Sequence, residues 1–207
     1  MIETVITFSG STATLQRLIR GLKDKSGLNA RVAVDVLALT QTYVAGIPDH
    51  KTANRLGAAP TNHLEKVSTQ IESDSNKDQA TIKIPKASRL AAAFGPYTVV
   101  PKKTDGFLTI PASAESYGRR ARTFTGLKVM RVNPKTKELD PAGMLALVRP
   151  TIEMQPHTPM NVLYLLARKV KIEEDRSLLP FDEMRVQAAD SAAGYFTDLA
   201  KEGGKIA

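Results

Sequence analysis

The sequence predicts an α+β fold in which an antiparallel β-sheet packs against helices, with a C-terminal helix and extended loops. Apolar residues recur at helical spacing near both ends of the chain, whereas short alternating runs bounded by Pro and Gly fill its middle. Helices that are separated from strands along the chain favour this class. The 207 residues are expected to form a single domain over 1–207, with an N-terminal helical part at about 11–71 and the sheet and C-terminal helix at about 80–201.

The first third of the chain is predicted to be mainly helical. Residues 2–8 alternate apolar and polar side chains, which is typical of a short strand. Apolar residues at helical spacing then predict helices over 13–25 and 29–45, followed by two shorter helical pieces at 49–57 and 60–71. The second helix is apolar nearly all round, so we expect it to be buried or to meet a partner chain.

The middle of the chain is predicted to contain strands separated by loops. Residues 73–79 are polar and are expected to form a loop, as is the Pro-rich stretch 151–159. The alternating runs predict strands at residues 81–84, 97–100, 107–110, 126–132, 143–148 and 162–172. The last of these is expected to be one long strand. The C-terminal helix is predicted over residues 182–201.

Two adjacent strands and the residues after them form the most distinctive stretch of the sequence. Residues 97–100 and 107–110 flank a turn-forming segment, so we expect a β-hairpin that presents a basic loop. That loop carries Lys102 and Lys103. A polar stretch follows the second strand and ends in a group of cations: Arg119, Arg120 and Arg122.

The composition limits the classes of partner and compartment. The formal net charge of +8 and the isoelectric point near 9.7 favour an anionic partner, although a solubilising surface charge explains them equally well. Because the chain has no Cys, we expect no disulfide and no thiolate site. We expect no signal peptide, since the N-terminus lacks a basic region followed by an apolar one. No apolar run reaches the roughly 20 residues of a spanning helix, so no membrane partner is expected.

The sequence offers few candidate catalytic groups. The three His residues, His50, His63 and His157, are far apart, and none belongs to a zinc-binding motif. Acidic residues cluster at 173–175 and 182–183. We interpret the first cluster as a solvated turn and the second as the first turn of a helix, where acids complement the helix dipole. No nucleophile motif or phosphate-binding glycine loop occurs. We therefore expect no enzyme activity, no metal and no cofactor.

The basic segment, defined as residues 117–137, contains seven cations and no acidic residue. Clustered Lys and Arg suit non-specific contacts with nucleic-acid phosphates, and they equally suit docking on an acidic protein face. Aromatic side chains for base stacking are few, and no sequence-reading DNA-binding motif is present. The residues that we expect to contact a partner are Lys102, Lys103, Arg119, Arg120, Arg122 and Arg131.

Two blocks of the sequence resemble a known family. These are AFGPYTVVPKKTDGFLTIPASAESYGRRAR, from residue 93, and LYLLARKVKIEEDRSLLPFDEMRVQAADSAAGYFTDL, from residue 163; the stretch ANRLGAAPTNHL from residue 53 adds to them. Together they are similar to the Mu-like phage virion morphogenesis proteins, the tail-completion or head–tail joining group. The resemblance covers roughly residues 50–200. The chain departs from the family pattern at Leu90-Ala91-Ala92-Ala93 and in its extension through residues 133–150.

The resemblance implies a non-enzymatic structural protein of the virion. It implies a homo-oligomeric ring, with a hexamer expected, in the neck of a tailed bacteriophage between capsid and tail, made in the host bacterial cytoplasm. Neighbouring neck and tail-tube proteins would be its partners, and genome DNA would pass through the ring with at most non-specific contact. The six basic residues named above would then make contacts between subunits or with a neighbouring ring. The role expected first is a tail-completion or tail-terminator subunit. Another neck layer, an adaptor or stopper, and a non-specific DNA-binding module remain alternatives.

Overall fold

The structure is a computed structural model that describes residues 12–48, 51–85, 89–150 and 160–203. Its contacts divide the chain into two compact units, each built from separate stretches of sequence. We call them the helical unit, which comprises the described residues of Met1–Ile47, Leu64–Ala91 and Ser177–Ala207, and the sheet unit, which comprises those of Pro48–His63 and Ala92–Arg176.

Helices and one small hairpin make up the helical unit. Its elements are α1 (Thr12–Lys23), α2 (Ser26–Gly46), α4 (His63–Ser68, which begins at the unit boundary), β1 (Glu72–Ser75), β2 (Ala80–Lys83) and α5 (Phe181–Gly203). Helix α5 packs against both α1 and α2, and α2 also packs against the antiparallel β1–β2 hairpin. Helix α2 buries one face, formed by Ala33, Val36, Thr40 and Val44.

Antiparallel strands dominate the sheet unit. Its elements are α3 (Lys51–Leu56), β3 (Tyr97–Val99), β4 (Leu108–Pro111), β5 (Lys128–Val132), β6 (Met144–Arg149), β7 (Asn161–Ala167) and β8 (Val170–Ile172). Four strands form a sheet in the order β4-β7-β6-β5, and β3 pairs with β8 in a separate two-stranded sheet. Buried aliphatic residues on three strands of the larger sheet form its core: Val132, Ala146, Val148 and Val162.

The structure confirms the predicted α+β class, with antiparallel sheets, helices and a C-terminal helix. The long helices at both ends lie within one or a few residues of their predicted bounds. Among the helices of the described residues, none combines the length and apolar character needed to cross a bilayer. The strand predicted at residues 2–8 and the loop predicted at 151–159 lie outside the described residues.

The predicted hairpin at residues 97–110 is wrong. Strands β3 and β4 do not pair with each other: Tyr97 lies opposite Ile172 of β8, and Leu108 lies opposite Ala167 of β7. The single long strand predicted at 162–172 is correspondingly two strands. They are interrupted at Arg168 and Lys169, because β7 and β8 pair with different partners. Alternation of apolar and polar residues predicts which side chains lie on each face of a strand. It does not predict which strand pairs with it, because that depends on distant sequence.

Two further predictions differ from the structure. Residues 73–79, predicted as a polar loop, include most of β1, and Asn76 accepts the backbone N–H groups of Asp78 and Gln79 in the turn that leads to β2. The C-terminal helix, predicted to belong with the sheet, is instead part of the helical unit. Its apolar stripe fits a helix neighbour as well as it fits a sheet, so the stripe alone cannot select one. The single domain over residues 1–207 stays a prediction.

Candidate functional site

Tyr164 fixes the backbone that leads into the predicted arginines. It lies on the interior strand β7, where only 1% of its surface is exposed. A buried tyrosine needs a partner for its hydroxyl. The O–H is shared between the carbonyl oxygens of Arg119, at 2.9 Å, and Ser116, at 3.3 Å. Burial raises the pKa of the Tyr164 phenol, so the group stays a hydrogen-bond donor at neutral pH.

Residues 113–119 form a compact turn around the buried Ser116. The Ser116 hydroxyl donates to the carbonyl oxygen of Ser113 at 3.0 Å, and the two hydroxyl oxygens lie 3.2 Å apart. Gly118 has a φ of +71°, and a Cβ on it would lie 2.7 Å from Thr61 Cγ2. Both the left-handed backbone and the close approach require glycine. The turn therefore sets the direction in which the chain continues.

The ring of Phe124 lies beside two guanidinium groups. The central carbon of Arg119 is 4.6 Å from the ring centroid, and that of Arg149 is 5.8 Å from it. These distances are within the range of a cation–π interaction. The ring also meets Tyr164 edge-on, with 5.9 Å between centroids and an interplanar angle of 71°. Arg119, which the sequence suggested for contacts with other chains, thus packs within its own unit.

An ion pair completes this group of side chains. Arg149 donates two hydrogen bonds to the carboxylate of Glu115, at 2.7 and 3.0 Å. The hydrogen bonds from Arg149 hold the pKa of Glu115 below its ordinary value against the opposing effect of burial, and the charges of Arg149 and Arg119 lower it further. We call Glu115, Arg119, Phe124, Arg149 and Tyr164 the arginine–tyrosine cluster.

Arg120 and Arg122 extend from the backbone that this cluster holds. Arg120 precedes the short 3₁₀ helix Ala121–Thr123, and Arg122 lies within it. The helix is stabilised because Thr123 donates its N–H and its hydroxyl to the Arg120 carbonyl, at 2.9 and 2.8 Å. Both arginine side chains are exposed. Within the residues that the structure describes, neither forms an ion pair. Two charged groups are therefore displayed on an ordered backbone.

The structure separates the other predicted contact residues. Lys102 and Lys103 are exposed in the turn that leads into β4, where the N–H of Gly106 donates to the Lys103 carbonyl at 2.9 Å. Arg131 lies on β5 and donates to the carbonyl oxygen of Gly143 at 3.1 Å. Strands β4 and β5 are the two edges of the four-stranded sheet, so they are separated by three strand spacings of about 4.8 Å, or about 14 Å. The turn with the two lysines leads into one edge, whereas Arg131 lies on the other.

The cations of the basic segment differ in whether they contact other parts of their own unit. Arg119 and Arg131 make the contacts described above, and the Lys137 ammonium donates to the Ala112 carbonyl at 3.4 Å. The remaining four side chains make no such contact and are exposed: Arg120, Arg122, Lys128 and Lys135. Arg119 and Arg131 are exposed as well, despite the contacts that they make. The uniform basic run of the sequence is therefore not one uniform basic surface.

Other candidate groups do not assemble into a site. In residues 12–48, 51–85, 89–150 and 160–203, no three His, Asp or Glu side chains lie close enough to hold a metal ion. His63 is exposed, and His50 and His157 lie outside these ranges. In the acidic stretch 173–175, Glu173 pairs with Lys171 at 3.0 Å on the surface, which agrees with a solvated turn.

Sequence reasoning missed Glu115, Arg149 and Tyr164 as members of the cluster. A usable signal existed for one of them, since a tyrosine within the aliphatic run VLYLLA needs a polar partner when that run is buried. Glu115 and Arg149 meet only because β4 and β6 both pair with β7. Comparison of the chain with protein-family models, with curated proteins and with solved structures finds no match.

Proposed function

We propose that this chain is a structural protein of a tailed-bacteriophage neck. Its role is that of a subunit in the tail-completion or tail-terminator ring, which joins the capsid connector to the tail tube. The observation that carries the proposal is the display of Arg120 and Arg122 on the backbone held by the arginine–tyrosine cluster. The resemblance of residues 50–200 to Mu-like phage morphogenesis proteins supplies the virion context.

A displayed pair of arginines on ordered backbone suits docking between proteins. The guanidinium group binds carboxylates in a bidentate manner. Because the backbone under Arg120 and Arg122 is already ordered by Thr123 and the neighbouring turn, only side-chain freedom is lost on contact, which lowers the entropic cost of binding. An acidic face on an adjacent subunit or ring is the complementary partner.

The same arginines also suit phosphate groups, which makes DNA the competing partner. A ring that conducts a genome works best without tight phosphate contacts in its lumen, because each contact resists movement of the duplex. Protein contacts are therefore favoured for Arg120 and Arg122. A DNA-binding module would instead show an affinity for duplex DNA that falls steeply with added salt.

The proposal is tested with the double variant Arg120→Gln/Arg122→Gln in virus particles. We expect filled heads and finished tails that fail to join, counted by negative-stain electron microscopy. The matched control is Lys128→Gln/Lys135→Gln, which removes two other exposed charges of the same basic segment and should leave joining intact. Joining at the normal level in the arginine variant would contradict the proposed docking role.

Particles made without this protein distinguish the neck layers. A terminator caps the tube, so its loss should give tails of irregular length beside filled heads. An adaptor or stopper acts at the head, so its loss should give heads that empty. Normal joined particles would exclude every neck role. Salt-dependent DNA binding by the purified chain, together with normal particles, would support the DNA-binding alternative.

A further inference from the structure

Helix α1 carries an apolar stripe that its own unit does not cover. Leu15, Ile19 and Leu22 are 40%, 43% and 59% exposed. The helix packs on α5 through a different face, where a Cβ on Gly21 would lie 2.9 Å from Leu199 Cδ1. Leu15, Ile19 and Leu22 are spaced by four and three residues, which puts the three exposed side chains in one row along the helix. We call this row the α1 stripe.

Helix α5 carries a second uncovered stripe, made of smaller side chains. Val186 is 61% exposed, and Ala189 and Ala193 are also exposed. They lie on the side of α5 opposite Ser191, which is buried and donates a 2.6 Å hydrogen bond to Asp35 of α2. We call this row the α5 stripe. The two stripes belong to different faces of the same helical unit.

Charges of opposite sign accompany the two stripes. Arg20 and Lys23 are exposed near the C-terminal end of the α1 stripe, whereas Glu183 and Asp190 are exposed along the α5 stripe. Among the described residues, none of these four side chains has an ion-pair partner, whereas the exposed Arg185 beside the α5 stripe pairs with Asp182 at 3.4 Å. The α1 stripe thus combines large apolar side chains with cations, whereas the α5 stripe combines small apolar side chains with carboxylates.

The two stripes also agree in length and polarity. Leu15 to Leu22 and Val186 to Ala193 each span seven residues, which is about 10.5 Å along a helix. In an antiparallel arrangement the basic C-terminal end of α1 meets the acidic N-terminal end of α5. The helix dipoles favour the same arrangement, because the negative end of α1 then lies beside the positive end of α5.

We propose that the α1 stripe of one copy docks antiparallel on the α5 stripe of a second copy. Since the two faces differ, the contact is head-to-tail and leaves one free stripe at each end of every pair, as a ring subunit requires. The contact rests on the proposed ring function for its biological purpose, but its physical basis is confined to the helical unit. It is therefore tested on the purified chain without particles.

The absence of Cys from the sequence allows a direct test by disulfide cross-linking. A disulfide needs Cβ atoms about 3.5–4.5 Å apart, so Leu22→Cys mixed with Val186→Cys should form a mixed dimer under mild oxidation. Leu15→Cys mixed with Val186→Cys tests the parallel orientation, and each variant alone tests a contact between like faces. Lys128→Cys, at an exposed strand position, mixed with Leu22→Cys gives the background rate. We expect the first mixture to react at least about tenfold faster than the other mixtures and the single variants.

Charge reversal separates docking from misfolding. Arg20→Glu/Lys23→Glu should slow the Leu22–Val186 cross-link about tenfold, and placing Glu183→Lys/Asp190→Lys on the Val186→Cys copy should restore the rate. A rate no higher than background in the first mixture, or a loss without rescue, would overturn the head-to-tail contact. A cross-link in the first mixture, together with normal joined particles made without this protein, would keep the contact and refute the neck function, so the two failures are distinguishable.

Discussion

The helical and sheet units tolerate close contacts in different ways, as one glycine from each unit illustrates. A Cβ on Gly194 of α5 would lie 2.9 Å from a terminal guanidinium nitrogen of Arg31, at the end of a flexible side chain. A Cβ on Gly143 of the sheet unit would overlap the backbone carbonyl of Val132. A side chain can rotate away from such an overlap, whereas a backbone that belongs to a sheet ladder cannot move alone.

Polar contacts in the two units include an exposed example and a buried one. In the helical unit, Arg31 pairs with Asp198 at 2.7 Å, with side chains that are 40% and 54% exposed. In the sheet unit, the hydroxyl of the fully buried Tyr164 binds two backbone carbonyls. The buried hydroxyl of Tyr164 holds the backbone that precedes Arg120 and Arg122. The Arg31–Asp198 pair, like the half-exposed Arg149–Glu115 pair of the sheet unit, is a contact that water and salt weaken.

Tyr164→Ala is expected to have the largest effect on stability. Removing this buried ring should lower the free energy of unfolding by about 4 kcal/mol, through lost burial and the cavity that remains. Tyr164→Phe, which removes only the hydroxyl, should cost about 1 kcal/mol. Urea denaturation measures both, and amide hydrogen exchange should show faster opening of β6 and β7 than of α2 and α5. Equal acceleration in both units would contradict a stabilising effect of Tyr164 that is confined to the sheet unit.

Gly143→Ala and Gly194→Ala test the two kinds of close contact directly. We expect Gly143→Ala to destabilise the sheet unit by about 1–3 kcal/mol, because the β5 backbone must shift. For Gly194→Ala, the displaced Arg31 side chain offsets the gain in helix propensity, so the net change should stay within about 1 kcal/mol. Thermal unfolding followed by circular dichroism provides the comparison. A larger loss of stability from Gly194→Ala than from Gly143→Ala would show that the contact with the Arg31 side chain yields less easily than the contact with the Val132 backbone.

Arg149→Gln should have the smallest effect, and the effect should depend on pH. Since the pKa of Glu115 is lowered in the folded state, the ion pair stabilises the protein above the ordinary carboxyl pKa of about 4.3. Its contribution is lost as pH falls through the lowered value. The stability difference between wild type and Arg149→Gln should therefore be constant near neutral pH and shrink below about pH 4. A difference that does not change with pH would show that Arg149 acts through packing on Phe124 alone.

Local signals predicted the helices well and strand pairing poorly. Helix α5 follows from one apolar stripe, with Asp182 and Glu183 in its first turn, and every contribution to that pattern is local. Strand β3 looked like half of a hairpin because β4 follows it closely, yet its partner β8 lies far along the chain. Turn residues between two strands permit a hairpin without requiring one.

The candidate site shows the same limit. Arg119, Arg120 and Arg122 stand out in the sequence as one group and all three are exposed, but only Arg119 also packs on Phe124. That distinction depends on β6 and β7, which bring Arg149 and Tyr164 to the same place. A charge pattern along a sequence identifies the basic segment, whereas the fold decides which of its charges are available to a partner.

The discontinuous helical unit has a consequence for synthesis on the ribosome. All strands of the sheet unit precede Arg176, so this unit can form while the C-terminal helix is still being translated. The helical unit must wait for α5, the last helix to emerge. The α5 stripe therefore exists only on finished chains, and a truncated product offers α1 without its counterpart. Such a product would lack the acceptor side of the proposed head-to-tail contact.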